Sequence, residues 1–110
     1  MKPAQAELLA AAMDRLWKQY LPELEERVTV LETAAGAVGS GELSSQLREQ
    51  AHFAAHKLAG VLGTFGLSEG TDLAREAESF YSGSDESGKA SAERLAQISS
   101  QLRALLAAGR

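Results

Sequence analysis

The chain has 110 residues and no cysteine, so it is the size of one domain and can hold neither disulfides, cysteine-ligated zinc nor a thiol nucleophile. Its net charge of −4 argues against nucleic-acid binding, which needs clustered Lys and Arg. It lacks both the run of roughly 20 apolar residues that spans a membrane and a signal-peptide core. We therefore expect a single domain over 1–110, complete or cut from a longer protein, in the cytoplasm.

The choice of apolar residues indicates an all-α fold. The chain contains 20 Ala and 16 Leu but only four Val and one Ile. Alanine and leucine are strong helix formers, whereas strands favour β-branched and aromatic side chains.

The first helical segment runs from Ala6 to Tyr20, and Pro22 is expected to kink or restart the helix. Apolar residues recur there every three or four positions and mark one helix face, at Leu9, Met13, Leu16 and Tyr20. The second segment continues the pattern after Pro22 and ends at the glycines of 39–41. Its apolar stripe is Leu24, Val28, Leu31, Ala35 and Val38.

Three further helices are predicted at about 42–65, 68–81 and 89–108, with a loop at 82–88. Gly66 supplies a left-handed residue at the end of the first of these, and Ser68 can cap the next. Each segment carries one apolar stripe, and most connections are short. The stripe of the segment at 42–65 is Leu47, Ala51, Ala54, Leu58, Val61 or Leu62, and Phe65. This pattern predicts an antiparallel four-helix bundle with an additional N-terminal helix.

Residues 83–90 come close to a phosphate-binding P-loop, but the motif needs Ser or Thr where Ala90 stands. No strand precedes the segment, and Asp85 and Glu86 would repel a phosphate. We therefore do not assign a nucleotide site to it.

His56 is predicted to lie opposite the apolar stripe of its helix and to face solvent. Phe53, Gly60 and Gly63 share its face, although glycine within a helix costs about 0.5–1 kcal/mol relative to alanine. The small residues leave room for a bulky group to reach the imidazole, and an exposed phenylalanine is typical of a partner surface. The pattern favours a nucleophilic histidine.

Residues 55–66, AHKLAGVLGTFG, resemble the histidine-containing phosphotransfer (HPt) domain and the phosphotransfer domain of chemotaxis histidine kinases. The resemblance implies that His56 accepts a phosphoryl group on Nε2. It also implies that Gly60 matches the glycine of the family, and that Glu78 hydrogen-bonds the histidine. The usual motif has lysine three residues after the histidine, where this chain has Ala59. The docking residues expected around His56 are His52, Phe53, Lys57, Ala59, Gly60 and Gly63.

The resemblance further implies a phosphocarrier of a multistep phosphorelay rather than an enzyme. Its partners would be a histidine kinase and a response-regulator receiver domain, and the receiver would supply Mg²⁺. We expect a monomer with no cofactor of its own. His52 stands four residues before His56, a spacing that can chelate a metal, but without an assured acidic ligand we predict no metal site. Two alternatives remain open: the phosphoacceptor domain of a chemotaxis-type kinase, and a helical interaction module that is never phosphorylated.

Overall fold

The computed structural model describes residues 2–84 and 89–110. It contains four α-helices, which are α1 (Pro3–Ser40), α2 (Ser45–Thr64), α3 (Ser68–Ser79) and α4 (Lys89–Ala108). A π-helical turn, Phe80–Ser84, follows α3. The described residues include no strand, so the all-α prediction is confirmed. Helices α1 and α3 each pack against both α2 and α4.

The ends of the helices follow local chemistry. The Ser44 hydroxyl accepts a hydrogen bond from the Leu47 amide at 3.0 Å, and this cap starts α2 a few residues later than predicted. Gly41 and Gly66 have φ angles of 73° and 74°. Such left-handed backbone favours glycine, which confirms the role predicted for Gly66. The structure assigns no side-chain cap to α3, so the capping role predicted for Ser68 is wrong.

The predicted additional N-terminal helix is also wrong, because α1 continues through Pro22 as one helix of 38 residues. Proline inside a helix costs about 3 kcal/mol. However, the residues after it, Leu24 and Val28, are each 0% exposed, and burying one such side chain stabilises by about 1.5–3 kcal/mol. Packing of this stretch in the bundle therefore outweighs the cost of Pro22.

Part of the predicted N-terminal core stripe is instead exposed. Leu9 is 52% exposed and Leu16 is 43% exposed, whereas Trp17 is 6% exposed and packs edge-on against Phe65, with ring centroids 5.2 Å apart. With 38 residues against 20 in α2 and in α4, α1 is about 25 Å longer than either. Its first turns therefore lack a neighbouring helix to cover every apolar position.

The core of the bundle lies between the four helices and supports the exposed face of α2. The predicted stripes of α1 and α2 meet there, with Leu24, Leu58 and Leu62 fully buried. Helix α3 approaches α2 closely at Gly70, where an added Cβ atom would lie 2.9 Å from Leu62 Cδ1. The predicted helical bundle is thus confirmed, and the antiparallel direction of its helices stays a prediction.

Candidate phosphoacceptor site

His56 lies on the solvent side of α2, with 61% of its side chain exposed. Two nearby residues of α2, Ala55 before His56 and Leu58 after it, face the core and are each 0% exposed. They anchor the helix in the bundle and so direct the imidazole outward. The structure therefore places His56 where a partner can reach it.

Glu78 on α3 holds the imidazole of His56. Its Oε2 lies 2.7 Å from His56 Nδ1, and 20% of its side chain is exposed. An ionised carboxylate only accepts hydrogen bonds, so Nδ1 carries the proton and its N–H donates a hydrogen bond to Glu78 Oε2. In the neutral imidazole, Nε2 is then left with a free lone pair. This arrangement makes Nε2 the nucleophilic nitrogen.

Two further nitrogen-bearing side chains approach the same carboxylate. His52 Nε2 lies 4.0 Å from Glu78 Oε2, and Arg75 Nη1 lies 3.9 Å from Glu78 Oε1. Glu78 is therefore the centre of a small cluster that joins α2 to α3. No set of three metal-ligating side chains is arranged to hold a metal ion in the part of the chain that the structure describes.

The structure brings Phe53 and Lys57 together on the α1 side of His56. Phe53 is 57% exposed, and the Lys57 ammonium lies 5.3 Å from the centre of its ring. This distance is typical of a cation–π contact. The two side chains form one exposed surface, apolar at its centre and positive at its edge.

The two glycines on this face have different surroundings. A Cβ atom added to Gly60 would meet nothing within 4 Å, so the backbone there is open to solvent. A Cβ atom added to Gly63 would lie 3.5 Å from Thr71 Oγ1 of α3. Gly60 is thus a candidate for contact with a partner, and Gly63 stands at the edge of the α2–α3 contact.

The expected docking role of Ala59 does not fit the structure, since its side chain is 1% exposed. Its carbonyl oxygen accepts a hydrogen bond from Thr71 Oγ1 at 3.4 Å, which places α3 beside it. An alanine covered in this way has no surface to offer a partner, so Ala59 is left out of the docking surface.

Sequence reasoning missed Arg75. Thr71, Arg75 and Glu78 follow one another at spacings of four and three, which places them on one side of a helix. This spacing was the available signal, because it puts Arg75 beside Glu78. Residues 85–88, the end of the predicted loop and the middle of the P-loop-like segment, lie outside the described residues.

Two comparisons with known proteins found similar sequences. The family model described as "Hpt domain" matches residues 15–108. The chain is also similar to Protein RcaC of Microchaete diplosiphon, with 32% identity over 73 residues, which make up 66% of this chain and 11% of that protein. The chain thus matches a small part of a much longer relative. No solved structure matches it. Among the described residues, no helix is long and apolar enough to cross a membrane.

Proposed function

Because this chain belongs to the Hpt domain family, whose members are phosphotransfer modules of two-component signalling, we propose that His56 is its phosphoacceptor. His56 receives a phosphoryl group on Nε2 from a receiver-domain aspartyl phosphate or a histidine kinase and passes it to a response regulator. The observation that carries the proposal is the 2.7 Å contact of Nδ1 with Glu78 in an imidazole that is 61% exposed, since in the neutral ring this contact leaves the lone pair of Nε2 available.

The transfer needs little covalent machinery from this chain. The N–P bond forms at Nε2 while the P–O bond to the aspartate breaks, and the leaving carboxylate keeps the electron pair. Phosphoryl transfer depends mainly on positioning and on stabilising charge. A rigid helix that presents one oriented imidazole can supply the positioning. Mg²⁺ bound by the receiver would neutralise phosphoryl charge during the reaction.

Glu78 supports this step in two ways. It fixes the orientation of the ring, because the hydrogen bond at Nδ1 directs Nε2 away from α3. The ring also gains positive charge when Nε2 is phosphorylated and Nδ1 keeps its proton. A carboxylate beside Nδ1 stabilises that charge. Glu78 is therefore a positioning residue that also stabilises the product.

The surface around His56 suits docking of a receiver domain. Phe53 offers exposed apolar area, Gly60 leaves the approach to the imidazole open, and Lys57 adds positive charge at the edge. His52, with 42% of its side chain exposed, lies at the side nearer to α3. We place these four residues in the docking surface.

The direct test is His56→Gln. The variant should lose all acid-labile phosphorylation by a phosphorylated receiver domain or by a histidine kinase with ATP, while circular dichroism and the melting temperature stay close to wild type. An exposed polar exchange usually changes stability by no more than about 0.5 kcal/mol. The two phosphoryl donors, assayed separately, also distinguish a relay module from the phosphoacceptor domain of a kinase.

The proposal fails if the wild-type chain is labelled by neither type of donor, which would favour a helical interaction module. It also fails if His56→Gln keeps its label. In that case His52→Gln shows whether the second imidazole of the cluster is the acceptor.

A further inference from the structure

Arg75 lies on the side of α3 that faces the phosphoacceptor helix. Thr71, one turn before it, contacts the Ala59 carbonyl of α2, and Glu78, one turn after it, contacts His56 of α2. Residues four and three apart share one side of a helix. Arg75 is therefore placed between two contacts of α3 with α2, at the level of Ala59 and His56.

The guanidinium of Arg75 lies near Glu78 but does not form a hydrogen bond with it. The distance of 3.9 Å between Nη1 and Glu78 Oε1 is an ion-pair distance, too long for a hydrogen bond. With 62% of its side chain exposed, Arg75 is also free to move. Its N–H donors remain available to another acceptor at the site.

The other cationic side chains near His56 are placed differently. Lys57 lies over the Phe53 ring, on the opposite flank of α2 from Glu78. His52 Nε2 is 4.0 Å from Glu78 Oε2, the same oxygen that accepts the hydrogen bond from His56, and His52 is cationic only when protonated. Arg75 is thus a permanently charged group that lies next to the carboxylate holding the imidazole.

We infer that Arg75 is the phosphoryl-binding cation of this site, its guanidinium contacting the phosphoryl oxygens on phosphorylated His56. The inference rests on the proposed function and deepens it. A phosphoryl group placed on Nε2 stands near the negative charge of Glu78, which repels it. A planar guanidinium matches phosphate oxygens with paired N–H donors and offsets that repulsion. Arg75 thereby stabilises the phosphorylated state, while Glu78 orients the ring.

The test compares Arg75→Gln, Arg75→Lys and a matched control, Arg94→Gln. Arg94 is also paired with a glutamate of α3, since its Nε lies 2.6 Å from Glu76 Oε2. Glu76 is two residues before Glu78 and therefore about 200° away from it around the helix, on the side opposite the site. Each glutamine variant removes one positive charge. Phosphoryl transfer from a phosphorylated receiver domain is measured at several salt concentrations, together with the final distribution of label between the two proteins.

We expect Arg75→Gln to accept phosphoryl about five-fold more slowly, since a charge a few ångströms from a phosphoryl group changes a rate by about that factor. The label should shift toward the receiver, and the difference from wild type should shrink as salt rises. Arg75→Lys should restore most of the rate because it keeps the charge. Arg94→Gln should behave like wild type.

Folding of each variant is checked separately. Circular dichroism and melting distinguish an effect on transfer from misfolding.

The inference is overturned if Arg75→Gln transfers at the wild-type rate, or if Lys57→Gln shows the salt-dependent loss in its place. Both outcomes require that His56 is still phosphorylated, so they leave the proposed function intact. Loss of all labelling in the wild-type chain would instead contradict the proposed function.

Discussion

His56 and Glu78 are separated by 22 residues along the chain, yet His56 Nδ1 and Glu78 Oε2 lie 2.7 Å apart. The contact joins α2 to α3 at the solvent face of the bundle. Because a carboxylate can only accept, it decides which nitrogen of His56 keeps the proton. The chemistry proposed at Nε2 depends on this single contact.

Removing that contact should change the tautomer of His56. In Glu78→Ala, nothing holds the proton at Nδ1, so ¹⁵N NMR should show a larger share of the Nε2–H tautomer. The rate of phosphoryl acceptance should fall about five- to tenfold, the effect of losing one net hydrogen bond. In Glu78→Gln the rate should fall less, because the amide oxygen can still accept the hydrogen bond from His56 Nδ1. An unchanged tautomer ratio in Glu78→Ala would contradict the positioning role of Glu78. The control is Glu93→Ala, which removes an exposed glutamate of α4.

Replacing Gly60 should separate stability from activity. A side chain there meets nothing within 4 Å, so Gly60→Gln should stabilise α2 by up to about 1 kcal/mol. The same side chain stands one turn after His56 and should slow transfer from the receiver. Gly36→Gln on α1 is the matched control, since a Cβ atom there also meets nothing. If both variants transfer equally fast, Gly60 has no docking role.

The stability of the protein should depend on Trp17 far more than on Leu9, which belongs to the predicted apolar stripe of α1. Trp17 is 6% exposed and packs against Phe65, so Trp17→Ala should cost about 3–5 kcal/mol in urea denaturation. Leu9 is 52% exposed, and Leu9→Ala should change the free energy of unfolding by no more than about 0.5 kcal/mol. Similar losses in the two variants would show that the first turns of α1 are packed.

Tyr81 should make the protein sensitive to alkali. Burial raises the pKa of Tyr81 to about 12, above its ordinary value of 10.0, although the nearby charge of Arg48 lowers it. Between pH 10 and 12 the phenol ionises in the unfolded chain but not in the native protein, so the native state binds more protons and stability falls. The total loss attributable to Tyr81 is about 2–3 kcal/mol.

Tyr81→Phe should remove that part of the alkaline loss, as measured by urea denaturation at a series of pH values. Among the described residues the Tyr81 hydroxyl is buried without a hydrogen-bond partner. A buried hydroxyl without a partner is costly, so the variant should be at least as stable as wild type at pH 7. This account is contradicted if the free energy of unfolding falls equally in the two proteins between pH 10 and 12, or if Tyr81→Phe is clearly less stable than wild type at pH 7.

Several residues show where sequence reasoning stopped. The spacing of Leu24, Val28 and Leu58 predicted which helix faces are buried, and the structure places all three at 0% exposed. The same spacing rule predicted burial for Leu9 and Leu16, because periodicity identifies an apolar face without saying whether another helix reaches it. For Pro22, the local rule predicted a kink or a restart, and packing keeps α1 one helix through this residue.

The sequence by itself determined the all-α class, most helix ends and the outward direction of His56, because helix propensity, capping and periodicity act between residues close in the chain. The HPt resemblance also came from a local stretch of sequence, about Phe53 to Glu78. Only the tertiary structure decided that Ala59 is covered and that the neighbouring Arg75 and Glu78 of α3 lie beside His56 of α2. These relationships depend on the distance and rotation between α2 and α3. That geometry is determined by how closely side chains such as Leu62 and Gly70 pack across the interface, which no local pattern encodes.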